Sequence, residues 1–157
     1  MAGIKACLWF DGTAEQAALF YVSLFPNSAI GTVSRYGEGM PFPKGTVLMV
    51  EFTLDGQPFQ ALNGGPHYVL SPAISFSVPC ADQAEVDRYW DALTADGGAA
   101  GRCGWLKDRF GVSWQIVPTA LGRMQEAGTS VQVGRMMRAL MGMSRLDVAA
   151  LESAFAG

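Results

Sequence analysis

The chain is poor in charge: Asp, Glu, Lys and Arg make up 16% of its 157 residues, and the formal net charge is −3. No stretch of lysine and arginine is dense enough to follow a phosphate backbone, which argues against nucleic acid as a partner. Half of the residues are apolar, which is typical of a globular chain and not of a disordered one. The length suits one domain with a real core and is too short for two ordinary domains.

Long apolar segments are also missing. No window reaches the roughly 20 apolar residues that a membrane-spanning helix needs. The segment from Met1 to Phe10 carries one lysine, and its apolar run stops at Asp11, which does not match a secretory signal peptide. We therefore expect a cytoplasmic protein with no membrane partner.

Cysteine and histidine are scarce. The three cysteines, Cys7, Cys80 and Cys103, are widely spaced and form no C-x-x-C pair. Reduced thiols in a cytoplasm fit this pattern better than a disulfide framework. His67 is the only histidine, and it lies in a stretch rich in glycine and proline, where an exposed histidine is ordinary. Few side chains are thus available for acid–base chemistry.

The first half of the chain predicts a strand, a helix and three further strands. The predicted strands are Ile4 to Phe10, Ala29 to Tyr36, Thr46 to Leu54 and Pro58 to Leu62. Thr13 is the expected helix N-cap, and Gln16 three residues later completes a capping box. Asp55-Gly56 is a favoured two-residue hairpin turn between two of the strands.

The same order restarts in the second half. Its predicted strands are Ala73 to Val78, Ala99 to Cys103, Trp105 to Asp108 and Val112 to Val117. The helix between the first two strands has Asp82 as N-cap and Glu85 at the third position after it. The same interval separates Ile4 from Ala73 and Thr13 from Asp82, which indicates a structural repeat.

These elements predict an α+β fold in which two tandem β-α-β-β-β units form a curved sheet around a cleft, followed by C-terminal helices. We expect one domain over residues 1–157. Unit one covers about residues 4–63, unit two about 73–118 and the helical tail about 119–157. In the tail, we expect a first short helix from Leu121 to Glu126 and a second helix that Ser130 caps.

A third tail helix is expected to open at Ser144 with Asp147. Before it, a cluster of methionines predicts an apolar helix face that packs on the sheet or at a dimer interface. As a flexible lid over an apolar ligand, the same cluster would have a functional role. The sequence leaves both interpretations open.

Several segments taken together carry a family resemblance. They are WFDG at 9–12, FPNS at 25–28, ALNGGP at 61–66, GWLKDRFGVSWQ at 104–115 and LDVAALE at 146–152. With these segments, the chain resembles the PhnB-like proteins of the vicinal oxygen chelate (glyoxalase/bleomycin resistance/dioxygenase) superfamily. The resemblance implies the paired fold and a homodimer.

Some PhnB-like sequences carry the label 3-demethylubiquinone 3-methyltransferase. Binding of S-adenosylmethionine on the common methyltransferase fold usually needs a glycine-rich loop after a first strand in a parallel-sheet pattern. The sequence has no such loop in that position. We therefore do not expect that activity.

The resemblance also bears on metals, because metal-dependent members of the superfamily hold a divalent ion with His and Glu from the first and last strands of each unit. The matching positions fall near Ala6 or Leu8, near Gln60 or Leu62, at Ala73 and at Gln115. Aliphatic side chains do not coordinate metals, and a neutral amide is a poor substitute for a carboxylate. We expect no metal in the usual cleft and no cofactor.

The candidate ligand-binding residues are Trp9, Asn63, Trp105, Trp114 and Gln115. The amide of Gln115 can hydrogen-bond a ligand, or it can simply satisfy neighbouring strands. Asn63 opens an Asn-Gly-Gly-Pro turn that presents backbone amides to a ligand or only reverses the chain. The tryptophans suit an apolar pocket, although cores need aromatic residues too.

No catalytic residue is assigned. His67 is the only standard base, and Cys103 is a lone cysteine with no histidine beside it in the sequence. Glu51 is the only carboxylate inside a predicted central strand, whereas Asp11, Lys107 and Asp108 are expected in turns and at the surface.

Three functions remain open. In the first, the protein binds a small apolar or aromatic molecule in the cleft without altering it. In the second, it is a metal-independent or atypical enzyme, which loss of turnover in His67→Ala would support. In the third, it is a dimerising protein whose cleft is filled by its own side chains, and one-to-one binding of a hydrophobic dye would count against that.

Overall fold

The computed structural model describes residues 3–157. Met1 and Ala2, which belong to the segment compared with a signal peptide, lie outside the described residues. The chain folds into two compact units, of which the first ends at Leu70 and the second begins at Ser71. The first unit contains β1 (Ala6–Phe10), α1 (Ala14–Leu24), β2 (Ala29–Arg35), β3 (Val47–Leu54) and β4 (Gln57–Asn63).

The second unit repeats this order and adds the C-terminal helices. Its sheet and helix are β5 (Phe76–Cys80), α2 (Gln83–Thr94), β6 (Ala99–Ala100), β7 (Trp105–Lys107) and β8 (Ser113–Pro118). The tail consists of α3 (Thr119–Ala127), α4 (Ser130–Met141) and α5 (Val148–Ala156). None of the helices between residues 3 and 157 is long and apolar enough to cross a membrane.

The two sheets have the same topology. Their strand orders are β1-β4-β3-β2 and β5-β8-β7-β6. In each sheet the first strand runs parallel to the last strand of its unit, and the other pairs are antiparallel. The predicted α+β class, the two β-α-β-β-β units and the C-terminal helices are confirmed, whereas the shared cleft stays a prediction.

Helix α1 covers one face of the first sheet. Its buried side chains recur at helical spacing, at Ala14, Ala17, Ala18 and Tyr21. The strand side chains buried in this unit include Leu8, Phe10, Val50, Phe52 and Ala61. Small alanines let the helix approach the sheet closely, and the Tyr21 ring stacks on Phe52 with 6.5 Å between centroids.

The beginning of α1 corrects one expectation. Thr13 is the N-cap residue but makes no side-chain capping hydrogen bond, so the capping box of Thr13 with Gln16 is wrong. Instead, the Ala14 N–H donates to Oδ1 of Asn63, at 2.9 Å, from the end of β4. An orphan N–H of the first helical turn is thus satisfied by a residue distant in sequence.

Helix α2 follows its predicted capping closely. Asp82 is the N-cap, and its carboxylate accepts from the Glu85 N–H at 2.9 Å. Glu85 in turn accepts from the Ala81 N–H at 2.8 Å. The strand before this helix begins at Phe76 rather than at Ala73, because the chain still turns around Ser71.

The helical tail packs on the second unit through polar contacts as well as an apolar cluster. Gln83 of α2 donates to the Leu146 carbonyl at 3.0 Å and accepts from the Val148 N–H at 2.8 Å. Arg145 pairs with Asp87 and Asp91, also on α2. The buried apolar residues of the cluster are Leu121, Met136, Leu140, Leu146 and Leu151.

Two tail caps differ from the expected residues. Helix α4 is capped by Thr129, in a capping box with Gln132, and not by Ser130. Helix α5 was expected to open at Ser144 with Asp147, but its N-cap is Asp147, which accepts from the Ala150 N–H. Ser144 lies before that helix and donates to the Gly101 carbonyl instead.

Asp108 is a buried residue of the second unit, only 2% exposed, so the expected surface position is wrong. Its Oδ1 accepts from the N–H groups of Phe110 and Val112, at 2.8 and 3.0 Å. Its Oδ2 accepts from the indole Nε1 of Trp114, at 2.8 Å. The carboxylate therefore joins the β7–β8 turn to the core, which compensates for burying a charge.

We expect Asp108→Asn to lower the free energy of unfolding by about 2 to 4 kcal/mol, because the new amide N–H₂ opposes the Trp114 N–H or leaves it unpaired. Urea denaturation monitored by circular dichroism measures the loss. Adding Trp114→Phe removes the competing donor, so the double variant should lose less than the sum of the single variants. Additive losses would contradict the pairing.

Candidate ligand-binding site

The face of the first sheet that α1 leaves uncovered carries two rows of side chains. Strand alternation places every second residue on this face, and the register aligns neighbouring strands. The rows are Trp9–Leu62–Met49 and Cys7–Gln60–Glu51. One row thus ends in an aromatic residue, and the other contains a carboxylate and an amide.

Trp9 is held against the turn that follows β4. Its indole Nε1 donates to the Gly65 carbonyl at 2.8 Å. A Cβ at Gly64 would overlap the indole ring, so this position requires glycine. Gly65 has a φ of +90°, where glycine is also favoured. The two glycines therefore serve the packing of Trp9 as well as the reversal of the chain.

Asn63 begins that turn and is 5% exposed. Its Oδ1 accepts from the Ala14 N–H, and its Nδ2 donates to the Val47 carbonyl at 3.1 Å. Its own carbonyl accepts from the Tyr36 hydroxyl at 2.7 Å. Both ends of the amide are bound inside the unit, so the observed role is structural, and a ligand contact stays a prediction.

A pocket of about 560 Å³ opens beside Trp9. We call it the Trp9 pocket, and its lining residues are Trp9, Tyr36, Pro41, Phe42, Leu62, Gly64, Pro66 and His67. The rings of Tyr36 and Phe42 pack with their centroids 4.9 Å apart. This volume lies within the range of small-molecule sites, and the wall is mainly aromatic and aliphatic.

For this pocket the sequence predicts Trp9 as a binding residue, the turn of residues 63–66 as a source of backbone amides and His67 as the only standard base. The remaining lining residues are Tyr36 directly after β2, Pro41 and Phe42 in the loop that follows, and Leu62 in β4. The loop after β2 is rich in glycine and proline, and local pattern does not reveal that Phe42 folds back beside Tyr36. The one sequence signal for Phe42 is that it is an aromatic residue inside such a loop.

His67 is exposed and lies at the rim of the Trp9 pocket. The neighbouring Tyr68 ring makes an edge contact with Trp9, with centroids 4.9 Å apart, and is 6.1 Å from the imidazole. The position on an exposed turn agrees with the expectation from sequence. Its place beside a pocket was not expected.

The second unit separates the other predicted residues. Gln115 pairs in register with Trp105 and Ser77, so these three share the sheet face opposite α2, and its Nε2 donates to Ser75 Oγ at 2.9 Å. Trp114 points to the other face, where it is 3% exposed. Trp114 is therefore a core residue beneath Asp108 and does not share a surface with Gln115.

The two units place a glutamine at equivalent positions. Gln60 pairs with Cys7 on β1, and Gln115 pairs with Ser77 on β5, at the same register in each sheet. Among residues 3–157, no group of three or more His, Cys, Asp or Glu side chains is arranged to hold a metal ion. The side chains at these positions do not fit the divalent ion that the family resemblance implies.

Glu51 is half exposed and lies beside Gln60. Its Oε1 accepts from Lys5 Nζ at 2.8 Å and from Gln60 Nε2 at 3.2 Å. The hydrogen bond from Lys5 is the main reason that the pKa of the Glu51 carboxyl is lowered from its ordinary value. The hydrogen bond from Gln60 and the Lys5 charge lower this pKa further. The carboxylate is thus held ionised on the open face and is a poor proton donor at neutral pH.

The thiols show no sign of activation. Burial raises the pKa of the Cys80 thiol to about 11. Cys103 packs against the apolar cluster of the tail, as expected for a small hydrophobic residue. Cys7 lies on the open face, and desolvation raises the pKa of its thiol. Neither shift favours a nucleophilic thiolate.

A family model described as 3-demethylubiquinone-9 3-methyltransferase matches residues 2–117. The chain belongs to the PhnB-like family of the vicinal oxygen chelate superfamily. Among solved structures, this PhnB-like chain is similar to a PhnB protein from Bacillus cereus that carries the same methyltransferase label, with 36% identity and a TM-score of 0.68. The match covers 74% of this chain and 99% of the Bacillus chain.

More distant structures support the fold alone. A Pseudomonas aeruginosa protein is 20% identical over 75% of this chain and 98% of its own, with a TM-score of 0.61. The fosfomycin resistance protein FosX from Listeria monocytogenes is 13% identical over 75% of this chain and 93% of its own, with a TM-score of 0.50. No curated protein matches the chain significantly.

The family match ends before the C-terminal helices. Residue 117 is the last matched position, and α3, α4 and α5 follow it. The resemblance expected for residues 146–152 therefore stays a prediction. The methyltransferase label is the name of the family model and assigns no reaction to this chain.

We expect Gly64→Ala to lower the free energy of unfolding by about 1 to 3 kcal/mol, because the new methyl group must displace the Trp9 indole. Urea unfolding and tryptophan fluorescence measure the loss and the movement of the ring. Trp9→Ala in the same chain should relieve part of the loss. Gly122→Ala, in α3 with open space around it, is the matched control and should be neutral or stabilising.

We expect Glu51 to make the free energy of unfolding depend on pH in the acidic range. Its pKa is lower in the folded protein, so the stabilisation is present above the unfolded-state pKa and is lost as pH falls through the folded-state value. Urea unfolding at a series of acidic pH values should show a shallower dependence in Glu51→Gln. Lys5→Met should reduce the dependence in the same direction, and an unchanged profile in both variants would contradict the assignment.

Proposed function

We propose that this PhnB-like protein binds a small, largely apolar or aromatic molecule in the Trp9 pocket without the metal ion usual for the superfamily. The observation that carries the proposal is the pocket itself, about 560 Å³ in volume and walled by Trp9, Tyr36, Phe42 and Leu62. Burying apolar ligand surface against such a wall supplies about 25 cal/mol per Å².

The chemistry of the lining favours binding over catalysis. Proton transfer usually needs a positioned base with a partner that orients it. His67 is exposed, and the residues that line the pocket include no carboxylate to orient it. Binding without turnover needs no oriented base, whereas an enzyme would need a group supplied by the substrate.

A metal-independent or atypical enzyme is the second candidate, for one reason: the only histidine of the chain lines the pocket. Loss of turnover on a bound molecule in His67→Ala would favour it. The fold itself does not choose between the two, because one fold hosts many activities.

We also propose that the protein is a homodimer, as the family resemblance implies, and that it is cytoplasmic, as the pattern of its cysteines favours. Native mass spectrometry of the freshly purified protein tests the oligomeric state and reveals any small molecule that co-purifies. A protein whose cleft is filled by its own side chains would carry no such molecule, so the same spectrum separates that third function from ligand binding.

We expect the neutral fluorescent dye N-phenyl-1-naphthylamine to bind with one molecule per chain. Phe42→Ala should weaken binding by about tenfold, since losing one aromatic wall removes roughly 1 to 2 kcal/mol of contact. Leu62→Ala should act in the same direction. Fluorescence titration measures both dissociation constants.

Leu19→Ala is the matched control, because Leu19 is an exposed apolar residue on α1 outside the pocket. This variant should bind the dye as the unmodified protein does. Saturation without a fixed stoichiometry, or equal weakening in all three variants, would contradict the proposal.

A further inference from the structure

The polar atoms of the Trp9 pocket are almost all bound within the first unit. The indole N–H of Trp9 donates to the Gly65 carbonyl, and the Tyr36 hydroxyl donates to the Asn63 carbonyl. Both aromatic residues therefore present ring faces and edges to the pocket, while their donors are directed into the scaffold. A ligand cannot take these donors without breaking hydrogen bonds of the fold.

His67 is the polar side chain that remains. The lining residues include no Lys, Arg, Asp or Glu. The loop that carries Phe42 also carries Glu38 and Lys44, but these two pair with each other at 2.8 Å and are strongly exposed. The Tyr68 phenol is the titratable group beside the imidazole, with 6.1 Å between the two ring centroids.

We propose that the ligand of the Trp9 pocket is a planar aromatic molecule with one anionic group of the carboxylate type, which the His67 imidazole binds at the rim. The inference rests on the proposed function. The Trp9 pocket combines aromatic rings in its wall with a single polar side chain at its rim. A matching ligand therefore has a flat apolar ring system and one polar group.

The charge of the polar end follows from the chemistry of imidazole. An imidazole N–H donates a hydrogen bond, and a hydrogen bond to an ionised acceptor is stronger than one between neutral groups. A cationic ligand would meet the aromatic rings but no carboxylate in the lining. The lining therefore favours an anionic group over a neutral or cationic group of the same shape.

The size of the effect is limited by solvent. His67 is exposed, so its pairing with an anion is screened like a surface ion pair. We expect a carboxylate ligand to bind about fivefold more tightly than the matching amide.

The test uses 2-naphthoate and 2-naphthamide, which differ only in the charged group. Isothermal titration calorimetry measures their affinities for the full chain. Because the chain has a single histidine, its imidazole resonances report contact with the ligand without ambiguity in nuclear magnetic resonance spectra. A preference for naphthoate, with a shift of these resonances, is the expected result.

Two variants sharpen the test. His67→Gln should remove the preference for naphthoate over naphthamide, and we expect the fold to tolerate the change because this residue is exposed. Lys44→Gln is the matched control, because it removes a nearby cation that is outside the lining, and it should keep the preference.

The remaining outcomes overturn the inference in distinguishable ways. Equal affinities for the two probes would reject the anionic end while the pocket still binds. Tighter binding of phenyltrimethylammonium than of naphthoate would assign a cationic ligand instead. Failure of every probe to bind would reject the proposed function together with the inference.

Discussion

The first unit depends on one buried amide. Asn63 joins the beginning of α1, through Ala14, to the beginning of β3, through Val47, and its carbonyl receives the Tyr36 hydroxyl. A buried amide that lost one of these partners would leave an unsatisfied polar group in the core. Gly64, which lines the Trp9 pocket, directly follows Asn63 in the sequence. The hydrogen bonds of Asn63 therefore also fix the position of this part of the pocket wall.

In the second unit, the buried side chain that makes several hydrogen bonds is a carboxylate. Asp108 binds two backbone N–H groups of the β7–β8 turn and the Trp114 indole. The two sheets share their strand order, yet the indole held by Asp108 is buried, whereas Trp9 lies on the open face beside a pocket. The repeat is thus one of backbone topology, and the polar anchors of the two units are chemically unrelated.

Membership of the PhnB-like family establishes the fold and leaves the activity open. Gln60 and Gln115 occupy matching registers in the two sheets, where a neutral amide stands in place of the His or Glu that metal-dependent members of the superfamily use. The wall of the Trp9 pocket is mainly aromatic and aliphatic, with one imidazole at its rim.

The sequence by itself determined the elements whose signals are local. Asp55-Gly56 turns the β3–β4 hairpin with both φ values positive, and Asp82 caps α2, because turns and caps depend on immediate neighbours. Tertiary structure alone decided that Asn63 and not Gln16 completes the start of α1, and that Asp108 is buried. It also gathered the walls of the Trp9 pocket from separate strands and loops. These outcomes depend on which strand lies beside which, and local propensities worth a few tenths to about 1 kcal/mol contain no such information.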